Sequence, residues 1–332
     1  MKPGKLSESI LKRSVLKQIK TKREEIRVGA GVGADCSFFV WKEKEGGLLT
    51  TSSIAADSPQ TLESEIIAAV NNVAAAGGEP VAVLSGLLLP DKIPESELQR
   101  YLAVIEKACE GLEIQIAGGD TRITKAVSKP VLSLTVLGKK EIQGHKGFNE
   151  YQGEEDIILT KWVALAGTSI LAEKKEQRLR QRLPGYFIDR AKKMRECVSV
   201  LPESRIGSRM GVVGMHDVSR GGIFAALWEL VEDRGVGLEV DLRKLPIRQE
   251  TIEICEILKV NPYELYGAGA LLMVTNHAGR LLRELEKEGI PAAVIGKIKK
   301  DISKVILNGE EKRYLERPCK EALEVLREEK GA

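Results

Sequence analysis

Apolar residues in the stretch from residue 61 recur at helical spacing. Ile66, Val70, Val73 and Gly77 fall at i, i+4, i+7 and i+11, and Gly77-Gly78 supplies a stop. The same period returns after Pro94 in Leu98, Leu102, Ile105, Cys109 and Leu112. Around these two helices the pattern shortens to extended runs. Residues 36–41 and 48–54 flank a turn at Glu45-Gly46-Gly47, and residues 81–89 form a short buried strand. Residues 114–116 lead into a turn at Gly118-Gly119-Asp120-Thr121, and residues 130–137 make a further strand. The order strand, strand, helix, strand, helix, strand, strand lacks the alternation of a doubly wound sheet and predicts an α+β fold. Ahead of it, Leu6, Ile10, Leu11, Val15, Leu16 and Ile19 predict an amphipathic helix over 6–20.

Residues 141–155 turn polar and glycine-containing, which places a domain boundary there and predicts two domains, 1–150 and 151–332. Beyond it, 156–160 restarts with a strand. Residues 215–222, Met-His-Asp-Val-Ser-Arg-Gly-Gly, read as a loop ending at a helix amino terminus, because Ile223, Ala226, Leu227, Leu230 and Val231 make one apolar face. Alternation of Val236, Leu238, Val240 and Leu242 predicts a strand, followed by helix 252–258, strand 271–275, helix 278–288 and strand 292–295. The second half is a second α+β unit.

Composition narrows the function classes. The 332 residues are 43% hydrophobic and 30% charged, an ordinary globular balance. Lys plus Arg number 51 against 48 Asp plus Glu, a formal charge of +3, too small to announce a nucleic-acid binder. A basic segment at 174–195 holds nine Lys or Arg against few acids and reads as solvated helical surface; a polyanion contact is the lesser reading. The longest apolar stretches fall short of the roughly 20 residues that span a bilayer. The first residues carry charges and no apolar h-region, so a cytoplasmic protein without membrane contact is expected. Cys36, Cys109, Cys197, Cys255 and Cys319 are odd in number and far apart, with no CxxC, which disfavours a disulfide framework or zinc site. Cys109 and Cys255 sit in apolar helical patterns and are expected to be buried.

The candidate chemistry lies in oxygen-bearing side chains beside glycines. Asp35 closes Val28-Gly-Ala-Gly-Val-Gly-Ala, Asp57 follows a predicted strand, Asn72 lies in the small-residue helix, and Asp120 sits in the Gly-Gly-Asp-Thr segment. Carboxylates at strand ends beside glycines suit a magnesium–nucleotide site, in which a hard cation shares phosphate oxygens and backbone N–H groups hold the phosphates. Each aspartate alone is equally a turn residue bonding nearby backbone. Neither GxxxxGK[ST] nor GxGxxG is present. His216-Asp217-Val218-Ser219 is no triad, since adjacent residues of one turn cannot form the relay. Asp217 reads as a metal- or phosphate-site carboxylate, His216 as a hydrogen-bonded structural histidine, and Ser219 as a helix cap.

Taken in order, these motifs resemble the aminoimidazole ribonucleotide (AIR) synthetase superfamily, a PurM-like fold. The resemblance rests on GVGAD around Asp35, AAVNNVAAAGGEP (68–80), AGGDT (117–121), Gly167-Thr168 and MHDVSRGGIFAALWEL (215–230), and it is strongest toward the branch of hydrogenase maturation factors, HypE-like. It implies an amino-terminal α/β domain that dimerises and a carboxy-terminal α/β domain. It also implies ATP and Mg2+ as cofactors, and phosphorylation of an amide, carbonyl or phosphate oxygen. Carried over by motif, Asp35, Asp57, Asp120 and Asp217 become magnesium or phosphate-site residues, with Asp120 and Asp217 the catalytic pair. Gly31, Gly33, Asn72, Gly118, Gly119, Thr121, Gly221 and Gly222 become nucleotide-binding positions.

Three departures from the family pattern bear on activity. Asn72 stands where the family carries Asp, and Ala268 where HypE-like sequences carry Glu. The chain ends Glu-Glu-Lys-Gly-Ala where the hydrogenase factors end in a cysteine tail, and Cys319 is expected to be a bystander, which argues against self-modifying carbamoyl chemistry. The resemblance therefore implies a Mg-ATP-dependent enzyme acting on a separate small molecule or a partner's group, with the acceptor unidentified. The alternative is a homodimeric nucleotide-binding paralogue that has lost turnover and serves as a maturation or scaffold protein.

Overall fold

The computed structural model describes residues 8–10, 12, 26–28, 31–32, 36–42, 45–55, 59–91, 93–141, 150–232 and 234–316. Described residues within 22–30 and 34–144 form one compact unit, and those within 1–21, 31–33 and 145–332 form the other. The predicted helix over 6–20 lies mostly outside the described residues; its short helical piece α1 (Glu8–Ile10) belongs to the second unit.

The first unit is a six-stranded sheet covered on one face by two helices. Its strands are β1 (Ile26–Val28), β2 (Ser37–Lys42), β3 (Glu45–Ala55), β4 (Glu79–Pro90), β5 (Gln115–Thr124) and β6 (Val131–Glu141), in the order β1-β2-β3-β6-β4-β5. Helices α2 (Pro59–Ala75) and α3 (Glu95–Gly111) pack Ile66, Val70, Val73, Ile105 and Cys109 onto Leu48, Ile54, Val83, Leu87, Leu132, Leu134 and Val136. Period-2 alternation turns Leu49, Leu84, Leu88 and Leu137 to the other face, where no helix of this unit covers them.

Three local expectations differ from the structure. Glu45-Gly46-Gly47 is not a turn but the start of β3, paired with β2. Strand β4 is neither short nor buried throughout: it runs for 12 residues and is buried on one face only. Gly118-Gly119-Asp120-Thr121 is not a turn but the middle of β5, paired in parallel with Leu84–Leu87 of β4. The reason is steric. A Cβ at Gly119 would collide with the carbonyl oxygen of Ser85, so the glycine serves close strand approach.

The second unit is a seven-stranded sheet, β13-β12-β9-β11-β7-β10-β8, antiparallel except between β12 and β9. In chain order its elements are β7 (Asp156–Thr160), α4 (Leu165–Lys174), α5 (Glu176–Leu179), α6 (Gly185–Lys193), α7 (Leu201–Met210), β8 (Gly214–Asp217) and α8 (Gly222–Val231). There follow β9 (Gly237–Asp241), α9 (Gln249–Leu258), β10 (Leu271–Thr275), α10 (Ala278–Lys287), β11 (Ala292–Lys299), β12 (Lys304–Asn308) and β13 (Glu311–Tyr314). Strands β7 and β10 lie inside the sheet and read as continuous apolar runs because both their faces are covered, with Ile157, Ile158, Leu159 and Leu271–Val274 inaccessible. Helix α4 is buried from Leu165 to Ala172, which explains its apolar perimeter, whereas α10 buries only Leu281 and Leu285. The expected loop at 215–222 begins as strand β8, because Gly214–Asp217 pair with β10.

Candidate functional site

In the first unit, register aligns a polar row across the helix-free face. Asp120 on β5 lies opposite Gly86 on β4, Gly86 opposite Ser133 on β6, and Ser133 opposite Ser53 on β3. The adjacent row is Gly118, Leu84, Thr135 and Thr51, in which Thr135 Oγ1 donates to Thr51 Oγ1 at 3.2 Å. Because Gly86 has only Ser133 near its missing Cβ, at 3.6 Å, the row is a shallow strip with Asp120 at its outer end. The polar side chains of the row carry only oxygen, the donor atom a hard cation prefers. Thr121 sits next to Asp120 on the opposite face of the edge strand, level with Leu87.

Asn72 is not part of that strip. Its Nδ2 donates to Thr50 Oγ1 at 3.3 Å, and Thr50 points to the helix-covered face of β3. Two strands separate β3 from β5, which sets those two strands about 14 Å apart, and Asn72 and Asp120 lie on opposite faces of the sheet. Asp35, Asp57 and Gly33 lie outside the described residues, and Gly31 is described only as half-buried backbone. Among the described residues no three His, Cys, Asp or Glu side chains group as a metal site.

In the second unit the motifs singled out in the sequence lie at one end of the sheet. Asp217, 2% exposed, ends β8 opposite Leu271 at the start of β10. His216 is buried beside it, Nδ1 lying 2.8 Å from the Asp217 carbonyl oxygen and Nε2 3.8 Å from Glu229 on α8, as a structural histidine would. The helix cap differs from expectation. Gly221, in the left-handed region at φ 81, is the N-cap of α8 and no side chain caps it; Ser219 contributes its carbonyl oxygen, which accepts from Gly222 N–H at 3.1 Å and Gly267 N–H at 3.1 Å.

The segment Tyr263–Ala270 ties these pieces together. Phe224 N–H donates to Tyr263 O (3.2 Å), Gly167 N–H to Tyr266 O (2.8 Å) and Val218 N–H to Ala270 O (3.0 Å). Gly222, at φ 67, and Gly167 are required by this packing, since a Cβ on either would strike the segment's backbone. Thr168, in the same Gly-Thr pair, is buried with its hydroxyl bonded to Ala164 O at 2.7 Å and Thr251 Oγ1 at 2.9 Å. Ala268 is 1% exposed within the segment, so no carboxylate stands there.

Sequence reading missed the strongest polar feature nearby, the buried pair Lys161–Glu203 at 2.7 Å. Lys161 carries a non-glycine φ of 53, and its ammonium also donates to Cys197 O (2.9 Å) and Ser199 O (2.6 Å). A charged pair 42 positions apart leaves no local pattern; the only signal was a lysine directly after an apolar strand.

Among the described residues, four of the nine cations of the basic segment are paired with carboxylates within the fold. Arg180 and Lys192 bind Glu176, Arg190 binds Glu250 and Arg195 lies 3.6 Å from Glu173. Cys109 and Cys255 are buried as expected, and burial pushes their thiols up to about 11 and about 12. The free cysteines described are these two with Cys36 and Cys197, and Cys319 lies outside the described residues. No described helix is long and apolar enough to cross a membrane.

Residues 45–139 match the AIR synthase related protein, N-terminal domain, and residues 155–308 the AIR synthase related protein, C-terminal domain. The chain is similar to thiamine-monophosphate kinase of Bacillus subtilis, 26% identical over 84% of this chain and 89% of that one. It is also similar to carbamoyl dehydratase HypE of Azotobacter vinelandii, 24% identical over 70% of this chain and 67% of that one. Among solved structures, the crystal structure of the HypE-HypF complex aligns with a TM-score of 0.73 at 16% identity, covering 93% of this chain and 99% of that one. HypE in complex with ATP aligns with a TM-score of 0.64 at 18% identity, covering 96% of each chain. At these identities the structural likeness concerns the fold.

Proposed function

We propose a function from one premise: the chain belongs to the AIR synthase related protein family. On that basis it is a Mg-ATP-dependent enzyme that phosphorylates an amide, carbonyl or phosphate oxygen of a small molecule or of a group carried by a partner. The observation that carries the reading is Asp120, exposed at the end of an oxygen-lined strip whose close strand pairing depends on Gly119. Asp120 would supply a magnesium ligand, with Asp35 and Asp57, which lie outside the described residues, as the further ligands that the family motifs imply. On the face that carries Asp120, Gly118 would give the triphosphate close backbone approach, and Gly31, Gly33, Gly119 and Thr121 are nucleotide-binding positions by the family motifs alone. In the second unit Asp217 is the buried carboxylate and Gly221-Gly222 the amide-bearing turn, although the Gly222 and Phe224 amides already serve Ser219 and Tyr263. A bound magnesium ion would neutralise phosphate charge; the protein's own part is to orient the nucleotide and exclude water. A relative crystallised with ATP supports nucleotide binding.

The helix-free face of the first unit supports a homodimer, because Leu49, Leu84, Leu88 and Leu137 are 37–50% exposed there. Hydrogenase maturation enters by likeness to the HypE proteins, one of which was crystallised with HypF. A second reading, a nucleotide-binding homodimer without turnover, is favoured by the Asn72 amide bound to Thr50 and by buried Ala268. Calorimetry with ATP and magnesium, wild type against Asp120→Ala, combined with a phosphate-release assay, separates the two. Magnesium-dependent binding lost in the variant, with release in the presence of an acceptor, supports the enzyme. Absence of magnesium-dependent binding in the wild type overturns both readings, and binding without release across acceptors selects the second.

A further inference from the structure

We infer that Lys161 and Glu203 are positioning residues, a buried clamp that sets the Tyr266–Ala270 segment and through it the backbone from Asp217 to Gly222. The inference rests on the reading above only for what that backbone is used for; the clamp itself is a matter of geometry.

An ammonium group has three protons, and here all three have acceptors. Glu203 Oε1 lies at 2.7 Å, Cys197 O at 2.9 Å and Ser199 O at 2.6 Å from Lys161 Nζ. The two side chains are 9% and 0% exposed, so water does not compete for these contacts. From this knot two connections run to the same segment. On one side, Thr160 Oγ1 donates to Glu203 Oε1 at 3.3 Å and accepts from Leu271 N–H at 3.0 Å, and Leu271 is the β10 residue paired with Asp217. On the other, the 197–199 backbone that the ammonium holds is packed against Gly269, φ 110, where a Cβ would come within 2.9 Å of Cys197 O and 3.0 Å of Val198 Cα.

The clamp therefore fixes both flanks of the segment whose Ala270 carbonyl receives Val218 N–H and whose Gly267 N–H reaches Ser219 O. Without the ammonium, two carbonyls and a carboxylate face one another with no donor among them. Separation of the 197–199 carbonyls from the Glu203 carboxylate loosens the packing of residues 197–199 against Gly269. Neither residue touches the reacting atoms in this scheme; the role is to hold backbone in place.

Amide hydrogen exchange on the full chain tests the clamp in Lys161→Met, in Glu203→Gln, which keeps an oxygen acceptor of the same shape, and in Lys161→Met/Glu203→Gln, which leaves no unpaired charge. In Lys161→Met and in the double variant, the amides of Leu271, Val218, Gly267 and Gly222 are expected to exchange about tenfold faster, while those of β12 and β13 in the same unit stay within about twofold of wild type. Glu203→Gln is expected to lie between. A nonhydrolysable ATP analogue with magnesium then binds several-fold more weakly in the same order. Unchanged exchange at the four amides, or equal acceleration throughout the unit, overturns the clamp by reducing the pair to general stability. Failure of the wild type to bind nucleotide overturns the proposed function instead, and exchange alone then decides the clamp.

Discussion

Asn72 on α2 and Thr50 on β3 share a hydrogen bond of 3.3 Å in which the amide is the donor. An aspartate at 72 reverses the roles, since the Thr50 hydroxyl can donate to a carboxylate. Asn72→Asp is therefore expected to lower unfolding free energy by no more than about 1 kcal/mol, and Asn72→Ala, which has no partner to offer, by about 1 kcal/mol or slightly more. If residue 72 belongs to the nucleotide site, the same Asn72→Asp change strengthens magnesium-dependent ATP binding. Urea denaturation and calorimetry check the two parts separately, and an affinity unchanged by the new charge would remove residue 72 from the site.

Gly222 and Gly119 are glycines for backbone reasons. At Gly222 a side chain meets the Tyr263 carbonyl in a conformation, φ 67, that L residues seldom adopt; at Gly119 it meets the Ser85 carbonyl. Gly222→Ala is expected to cost about 2 kcal/mol or more, as strain and displacement of the 263–265 backbone add. Gly221→Ala, φ 81, has only the Ala225 methyl to displace and should cost less. Thermal unfolding of the two variants ranks them, and a Gly222→Ala protein as stable as wild type would contradict the packing.

The elements most readable in the sequence were those whose burial is one-sided or complete over a full period. Helix α2 and strand β6 announce themselves because Val70 and Val73, or Leu132, Leu134 and Val136, each face the core at regular intervals. Glycine misled at 118–119, where two glycines mimic a turn although parallel pairing to β4 is what requires one of them. Helix α7 and strand β13 escaped because charged residues dilute their period: β13 is exposed along its whole length. The site was legible only as residue types. Asp120, Asn72 and Asp217 were marked by neighbouring motifs, but nothing local could show that Asn72 and Asp120 face opposite sides of one sheet, or that Lys161 meets Glu203. Those relations come from strand order and register, which a single chain does not spell out.

The leucines on the helix-free face make the dimer proposal testable without nucleotide. Leu84 is 50% exposed on a face whose neighbours are Leu88, Thr135 and Gly118. A second copy covering it would exclude a charge at that position, so Leu84→Glu is expected to shift the protein to monomer in sedimentation, with a thermal midpoint that no longer depends on protein concentration. Identical sedimentation of variant and wild type as dimers would place the contact elsewhere, and a monomeric wild type would end the proposal.

Lys140 gives the fold a pH dependence with a defined sign. Burial is the main cause pulling its amine down from 10.5 to about 8, with a smaller opposing pull from Cys36, while Nζ donates to Ala76 O at 2.7 Å. Between pH 8 and 10.5 the unfolded chain holds a proton that the folded chain has released, so stability rises with pH across that window, and below it the folded state carries the cost of a buried charge. The shift corresponds to roughly 3 kcal/mol at most. Cys109 and Cys255 act in the opposite direction: their raised thiols stay protonated in the fold after the unfolded chain has ionised, so stability falls as pH climbs above about 9 toward their folded values of about 11 and about 12. The Lys140 contribution is therefore visible alone only between pH 8 and 9. Lys140→Met abolishes the rise in that interval and stabilises the protein at pH 7 by about 2 kcal/mol, the relieved burial less about 1 kcal/mol for the bond lost at Ala76. Urea midpoints at pH 7, 8 and 9 for both proteins decide it: parallel curves would show that the amine is solvated and its charge free of cost.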